Sequence, residues 1–361
     1  MNSINKSDLN KFQETKQVII DENESLEEYI QETLDRFYIN NNIQGDEYLS
    51  DGRQARQQRK RLDRFIGKDI LMDNLKKWLD SFAIEDQKYL LKLIERYTYI
   101  TQVEMEYMMY ELYETIEKKI AKEGYNMSDS LFITVESGVK SGGDNIRTTL
   151  QMSNINRIIK GQIISAVSKI DEDIIKRAKV IIFIDDIIGT GNTSFRNIRD
   201  TCKRFENLNI RNKKIILACI CAKQKVVKKI IKSCKKEGID LELIICKEIQ
   251  SCFVEDNNFK GKEREEVINI IKKYEQLIDE ASKTDERTYY LGFEKSKVLI
   301  SFYYETPNNT LCNFWKYSCI STPLFPRQVS TRPTIYELKH RKEINSNNAY
   351  NAGKVKKNEI L

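Results

Sequence analysis

The hydrophobic positions of the chain change their period near residue 128. Before that point apolar residues recur three and four apart: Ile70, Leu71, Leu75, Trp78 and Leu79 form one stripe, Leu90, Leu93, Ile94 and Tyr97 a second, and Tyr107, Met108, Leu112, Ile116 and Ile120 a third. This spacing predicts helix throughout residues 69–122, with an earlier amphipathic helix carrying Leu26, Tyr29, Ile30, Leu34 and Phe37. After residue 128 short apolar runs alternate with amphipathic segments. Residues 131–135, 180–184, 214–222, 241–246 and 298–304 read as strands, and residues 144–167, the segment from Phe195 onward, 226–234 and 262–282 read as helices. Apolar runs of this kind suit strands buried on both faces, and parallel neighbours need helical crossovers. The expected fold class is therefore α/β, a doubly wound and mostly parallel sheet with an N-terminal helical domain. The expected division is a polar and basic helical extension over 1–64, a helical domain over 65–125, the α/β domain over 126–330, and a disordered basic tail over 331–361.

The chemistry concentrates where the run 180–184 ends. Asp185 and Asp186 follow it, then Ile187 and Ile188, then a turn of Gly189, Thr190, Gly191, Asn192, Thr193 and Ser194 that opens a helix. Ligands of open α/β sheets sit beyond the carboxyl ends of the strands, where these residues fall. Gly189 and Gly191 let the backbone turn sharply and approach a ligand, so that successive N–H groups and a helix N-terminus converge on an anion. Thr190, Thr193 and Ser194 add hydroxyl donors. The carboxylates can grip a polyol or, through water, a divalent cation. Carboxylates beside a phosphate cradle repel an anion unless hydroxyls lie between them, which a sugar with a terminal phosphate provides. A second turn follows the run 131–135. There Ser137, Gly138, Lys140, Ser141, Gly142 and Gly143 can hold another anion, or form an ordinary turn.

The stretch 180–194 resembles the phosphoribosyl pyrophosphate signature of the type I phosphoribosyltransferases, with Asp185, Asp186, Thr190, Gly191 and Thr193 at its defining positions. It is not a Walker loop, since no Gly-Lys-Ser/Thr follows. The resemblance implies that Asp185 and Asp186 hold ribose hydroxyls and feel Mg2+, Asp186 the more strongly, and that residues 190–194 hold the 5′-phosphate. It also places pyrophosphate against residues 137–143, with Lys140 acting on it. The implied reaction is Mg2+-dependent glycosyl transfer or cleavage. Purine-salvage members carry an acid where this chain has Gly189, so a salvage role is not expected. Residues 78–82, 136–143 and 305–327 resemble the phosphoribosyltransferase-like effectors of bacterial conflict and antiphage systems, a resemblance covering about residues 65–330. It implies a partner protein within a defence system. Asn308, Asn309 and Trp315 either close over the substrate or cap the sheet edge. A module that senses ligand or binds nucleic acid without turnover remains the alternative.

Composition narrows the remaining classes. Hydrophobic residues make up 40% of the chain and charged residues 32%, with a net charge of +6 that permits nucleic-acid contact without demanding it. Arg53, Arg56, Lys60 and Arg64 share one helical face, which reads as a solvated face or as a phosphate contact. No apolar run approaches the roughly 18 residues of a membrane span, and the first residues lack a signal peptide's apolar region, so a cytoplasmic protein is expected. The eight cysteines form no CxxC pair and the single histidine is His340, which argues against zinc and against imidazole catalysis.

Overall fold

The structure, a computed structural model, describes residues 26–43, 66–135, 146, 149, 163–164, 172–256, 259–281, 289–318 and 320–327. Its centre is a five-stranded sheet of β2 (Ser130–Thr134), β3 (Ile163–Ile164), β4 (Val180–Ile188), β5 (Lys214–Lys223) and β6 (Leu241–Ile249). The strands lie in the order β3-β2-β4-β5-β6, and every neighbouring pair is parallel. The chain steps from β2 to one side and then returns to the other, so the order reverses between β2 and β4. In open sheets such a switch point is where a ligand crevice forms.

Strand length does the rest. β2 stops at Thr134, opposite Ile184, whereas β4 continues through Ile188 while still paired with β5. Asp185 and Asp186 thus project past the end of β2.

Alternate residues of the strands feed two cores. On one face α4 (Gln102–Lys122) lays Met105, Met109, Leu112 and Ile116 against Ile182, Ile184, Ile216 and Ala218. On the other, α5 (Glu172–Arg177), α6 (Asn192–Asn207) and α7 (Gln224–Lys236) bring Ile175, Ile198, Phe205 and Ile230 against Leu131, Ile181, Phe183 and Leu217. Helices cover both faces, as a doubly wound sheet requires.

A third core joins the two ends of the described chain. α1 (Leu26–Asn40), α2 (Lys68–Leu79), α3 (Ile84–Glu95) and α8 (Gly261–Ala281) pack with the segment after residue 289. Trp78 stacks on Phe314 at 4.9 Å between ring centroids, and Tyr97 tilts against Phe325 at 4.8 Å. The indole Nε1 of Trp78 donates to the carbonyl of Asn313 at 2.9 Å.

Four expectations change. Residues 69–122 are not helical throughout, because Thr98–Ile100 form a short strand, β1, between α3 and α4. Its partner is β7 (Ile300–Phe302), in parallel register, so the expected strand at 298–304 lies in this small sheet and not in the large one. The segment 144–167 is not one helix: Ile146 and Thr149 are helical, but Ile163 and Ile164 pair with Phe132 and Ile133 as the edge strand β3. Ile70 and Tyr107, counted into helix stripes, are 48% and 61% exposed, since each falls on the outward face of its helix, Ile70 with Asp73 and Lys77 and Tyr107 with Val103 and Tyr110. The basic segment 53–64 and the tail 331–361 lie outside the described residues. No described helix is long and apolar enough to cross a membrane.

Candidate functional site

Neighbouring side chains of a strand point to opposite faces, and the two carboxylates of β4 accordingly meet different partners. Asp185 faces α6, where the hydroxyl of Ser194 donates to its Oδ2 over a long 3.4 Å. Asp186 faces the small sheet, and the hydroxyl of Tyr304 donates to its Oδ2 at 2.8 Å. Each Oδ1 accepts a backbone N–H, from Asp186 at 3.0 Å and from Ile187 at 2.8 Å respectively. Both oxygens of each acid are engaged, the Ser194 contact to Asp185 being the longest; Asp186 is buried and Asp185 half-buried.

Burial raises the pKa of both acids. Asp185 is pushed well above the ordinary carboxylate range by desolvation first and by the charge of Asp186 second. For Asp186 desolvation again leads, opposed by the hydrogen bond from Tyr304. Two adjacent carboxylates withdrawn from water favour whatever brings hydroxyl donors or positive charge to them.

The donor set suits Mg2+, which takes oxygen ligands from one or two carboxylates and completes its shell with waters and substrate phosphates. Among the described residues no group of three metal-binding side chains occurs, so ligand oxygens would have to supply the remainder. Of the two acids Asp185 is the more exposed.

The turn beyond β4 is built around Gly191, which has φ 77° and ψ −4° and stands at the N-cap of α6. A Cβ there would approach Ile230 Cδ1 at 2.7 Å and Val226 Cγ1 at 2.8 Å, so both backbone conformation and packing require glycine. No side chain caps α6, and its first turn holds no acid. The leading N–H groups, at Asn192, Thr193 and Ser194, are thus presented to an anion with the helix dipole behind them. Thr190 lies half-buried between the two glycines.

The segment after residue 289 closes this turn from the other side. Tyr304 holds Asp186. The amide of Asn309 lies against Gly189 so closely that a Cβ at Gly189 would overlap it. Asn309 is 9% exposed, its backbone carbonyl accepts from Ser296 Oγ at 2.5 Å, and its carboxamide makes no hydrogen bond among the described residues. Asn192 is held from two sides: its Nδ2 donates to Glu294 at 2.6 Å and its Oδ1 accepts from Lys229 at 3.0 Å.

Of the residues singled out in the sequence, the structure brings together Asp185, Asp186, Gly189, Thr190, Gly191, Asn192, Thr193 and Ser194, with Asn309 added from the far segment. Trp315 is instead structural, buried with its Nε1 donating to the carbonyl of Thr310 at 2.9 Å. Ser137, Gly138, Lys140, Ser141, Gly142 and Gly143 lie outside the described residues; β2 ends just before them, beside Ile184. Tyr304 and Glu294 were not anticipated. The one local sign of Glu294 is a backbone at φ 50°, which sequence does not display.

A parallel sheet with an acid pair and an uncapped glycine turn at its switch point is the architecture of a phosphoribosyltransferase-like protein. The family model PRTase-CE matches residues 75–327, more than two thirds of the chain, and the chain belongs to that family. No curated protein and no solved structure matches it.

Proposed function

We propose that the protein binds phosphoribosyl pyrophosphate, or a related phosphoribosyl nucleotide, at the turn between β4 and α6, and acts on it by Mg2+-dependent phosphoribosyl transfer or cleavage. The observation that carries this reading is the pairing of Asp185 and Asp186 with the uncapped N-terminus of α6 across one glycine turn. In this reading the 5′-phosphate lies on the N–H groups of Asn192, Thr193 and Ser194 and on the hydroxyl of Thr190. The ribose hydroxyls donate to Asp185, while Tyr304 fixes the orientation of Asp186. Breaking the bond at the anomeric carbon builds positive charge on the sugar, which the carboxylates favour, and negative charge on the leaving diphosphate. Mg2+ held through Asp185 would neutralise that diphosphate, with Lys140 and residues 137–143 as its further partners.

The biological setting we propose is a bacterial antiphage or conflict system, in which the protein is an effector working with a second defence protein. Its support is the sequence resemblance at 78–82, 136–143 and 305–327. A ligand-sensing module without turnover is the second reading, favoured by the absence of an acid at Gly189.

Calorimetric titration with phosphoribosyl pyrophosphate and with ribose 5-phosphate, each with and without Mg2+, tests the proposal. Saturable binding that is lost in Asp185→Asn supports the site, and pyrophosphate release under the same conditions supports catalysis. Binding without product supports the sensing module. Absence of binding by either sugar phosphate at millimolar concentration sinks both.

A further inference from the structure

Helix α7 carries six lysines in its 13 residues, Lys225, Lys228, Lys229, Lys232, Lys235 and Lys236, and no acid. All six are exposed, and none is ion-paired with an acid among the described residues. Some exposed lysines elsewhere do pair, Lys118 with Glu114 at 3.4 Å, Lys176 with Glu172 at 3.4 Å and Lys273 with Asp86 at 3.1 Å, but nowhere else among the described residues do six unpaired lysines share one helix face. We propose that the outer face of α7 is a docking surface for a nucleic-acid strand, held through its phosphates without readout of base sequence.

Lys235 and Lys236 suit the last turn of α7, but the charge at its start runs against the helix's own interest. Cations near a helix N-terminus oppose the macrodipole, and α1, α3, α4, α5 and α8 all put acids in their first turns. α6 and α7 have none there, and α7 carries Lys225 instead. The fold gains nothing from that arrangement, whereas a bound polyanion offsets it.

The lysine face also meets the candidate site. Lys229 donates to Asn192 at 3.0 Å, and Ile230 packs against Gly191, so the stripe begins at the lip of the phosphate turn. From Lys225 to Lys236 it extends about 16 Å at the helical rise. A single small phosphate occupies only one end of that length; a polynucleotide strand spaces about five phosphates along it at the duplex repeat. A lipid surface is the poorer occupant. Membrane-lying helices bury an apolar face in the bilayer, and the apolar face of α7, with Val226, Ile230 and Cys234, is already packed on the sheet.

The test is fluorescence anisotropy with labelled 20-nucleotide homopolymers of DNA and RNA, titrated with the full chain from low to moderate salt. Binding should weaken steeply with salt, by a log–log slope of about −0.7 per phosphate contacted. K225E/K228E/K232E should bind at least tenfold more weakly at low salt, with a slope shallower by about 2. Its melting temperature should hold, since Glu at 225 suits the helix N-terminus and positions 228 and 232 are exposed. The neutral set K225Q/K228Q/K232Q guards against a fold defect and must also lose affinity, while K118E on α4 must not. The proposal is overturned by no binding at low salt, by unchanged affinity in the neutral set, or by capture on anionic vesicles in place of oligonucleotides. None of these outcomes touches the binding of a sugar phosphate at the β4–α6 turn, which is titrated separately.

Discussion

The phenol of Tyr304 donates to Asp186 at 2.8 Å across 118 positions of sequence, and both residues are buried. Removing the hydroxyl leaves a buried carboxylate oxygen without its donor, a loss of about 1–3 kcal/mol. Tyr304→Phe is therefore expected to lower stability by that order in urea unfolding. It should also weaken sugar-phosphate binding, because Asp186 is no longer held. Wild-type values in both measurements would show that the contact neither stabilises the strand end nor orients the acid.

Gly189 and Asn309 form the second contact between the same two segments. A methyl at Gly189 overlaps the Asn309 amide, and forced overpacking of this kind costs about 1–3 kcal/mol. Gly189→Ala should be destabilising alone and largely rescued by Asn309→Gly in the double variant, giving a coupling near 1 kcal/mol or more in a double-mutant cycle. Additive effects would mean that the two residues do not meet.

What could be read from sequence, and what could not, divides along these contacts. Residues 180–194 were legible because strand, acid pair, glycine turn and helix lie in one continuous stretch, each imposed by local chemistry. β5 and β6 were legible for a similar reason, as apolar runs too short for helices. β1 was not, since Thr98, Tyr99 and Ile100 sit between helical stripes and acquire their pairing from Ile300–Phe302, some two hundred positions away. Tyr304 was counted only as the end of a strand. Its role depends on that strand crossing beside Asp186, which no local pattern reports.

A third carboxylate, away from the site, gives a pH dependence. Glu275 on α8 is fully buried and accepts backbone N–H groups from Leu291 at 3.0 Å, Cys312 at 2.9 Å and Asn313 at 2.7 Å. Burial pushes its pKa up from 4.5 to about 7, against the pull of those donors. The folded state then holds a proton that the unfolded chain releases, so this contribution to stability is complete below pH 4.5 and is lost as pH rises to about 7. Its full size is of order 3 kcal/mol. Glu275→Gln cannot serve all three donors and should be the less stable protein. Its deficit against wild type should be largest at pH 5 and shrink by pH 8. Urea unfolding across that range checks the sign; a deficit that grows with pH would contradict it.

Trp78 ties the helical N-terminal part to the segment that supplies Tyr304 and Asn309. Its ring stacks on Phe314 and meets Phe82 edge-on at 5.0 Å, and its Nε1 holds the Asn313 carbonyl. The same core carries Tyr97, whose hydroxyl meets Ser301 at 2.7 Å, and Ser301 in turn meets Thr306 at 2.6 Å, between Tyr304 and Asn309 in the chain. Trp78→Phe removes one hydrogen bond and should cost about 1 kcal/mol with little effect on ligand. Trp78→Ala opens a large cavity and should cost about 3–5 kcal/mol. If the core positions the segment, Trp78→Ala must also bind sugar phosphate more weakly under conditions where it is fully folded. A destabilised Trp78→Ala protein with wild-type affinity would show that Tyr304 and Asn309 keep their places without it.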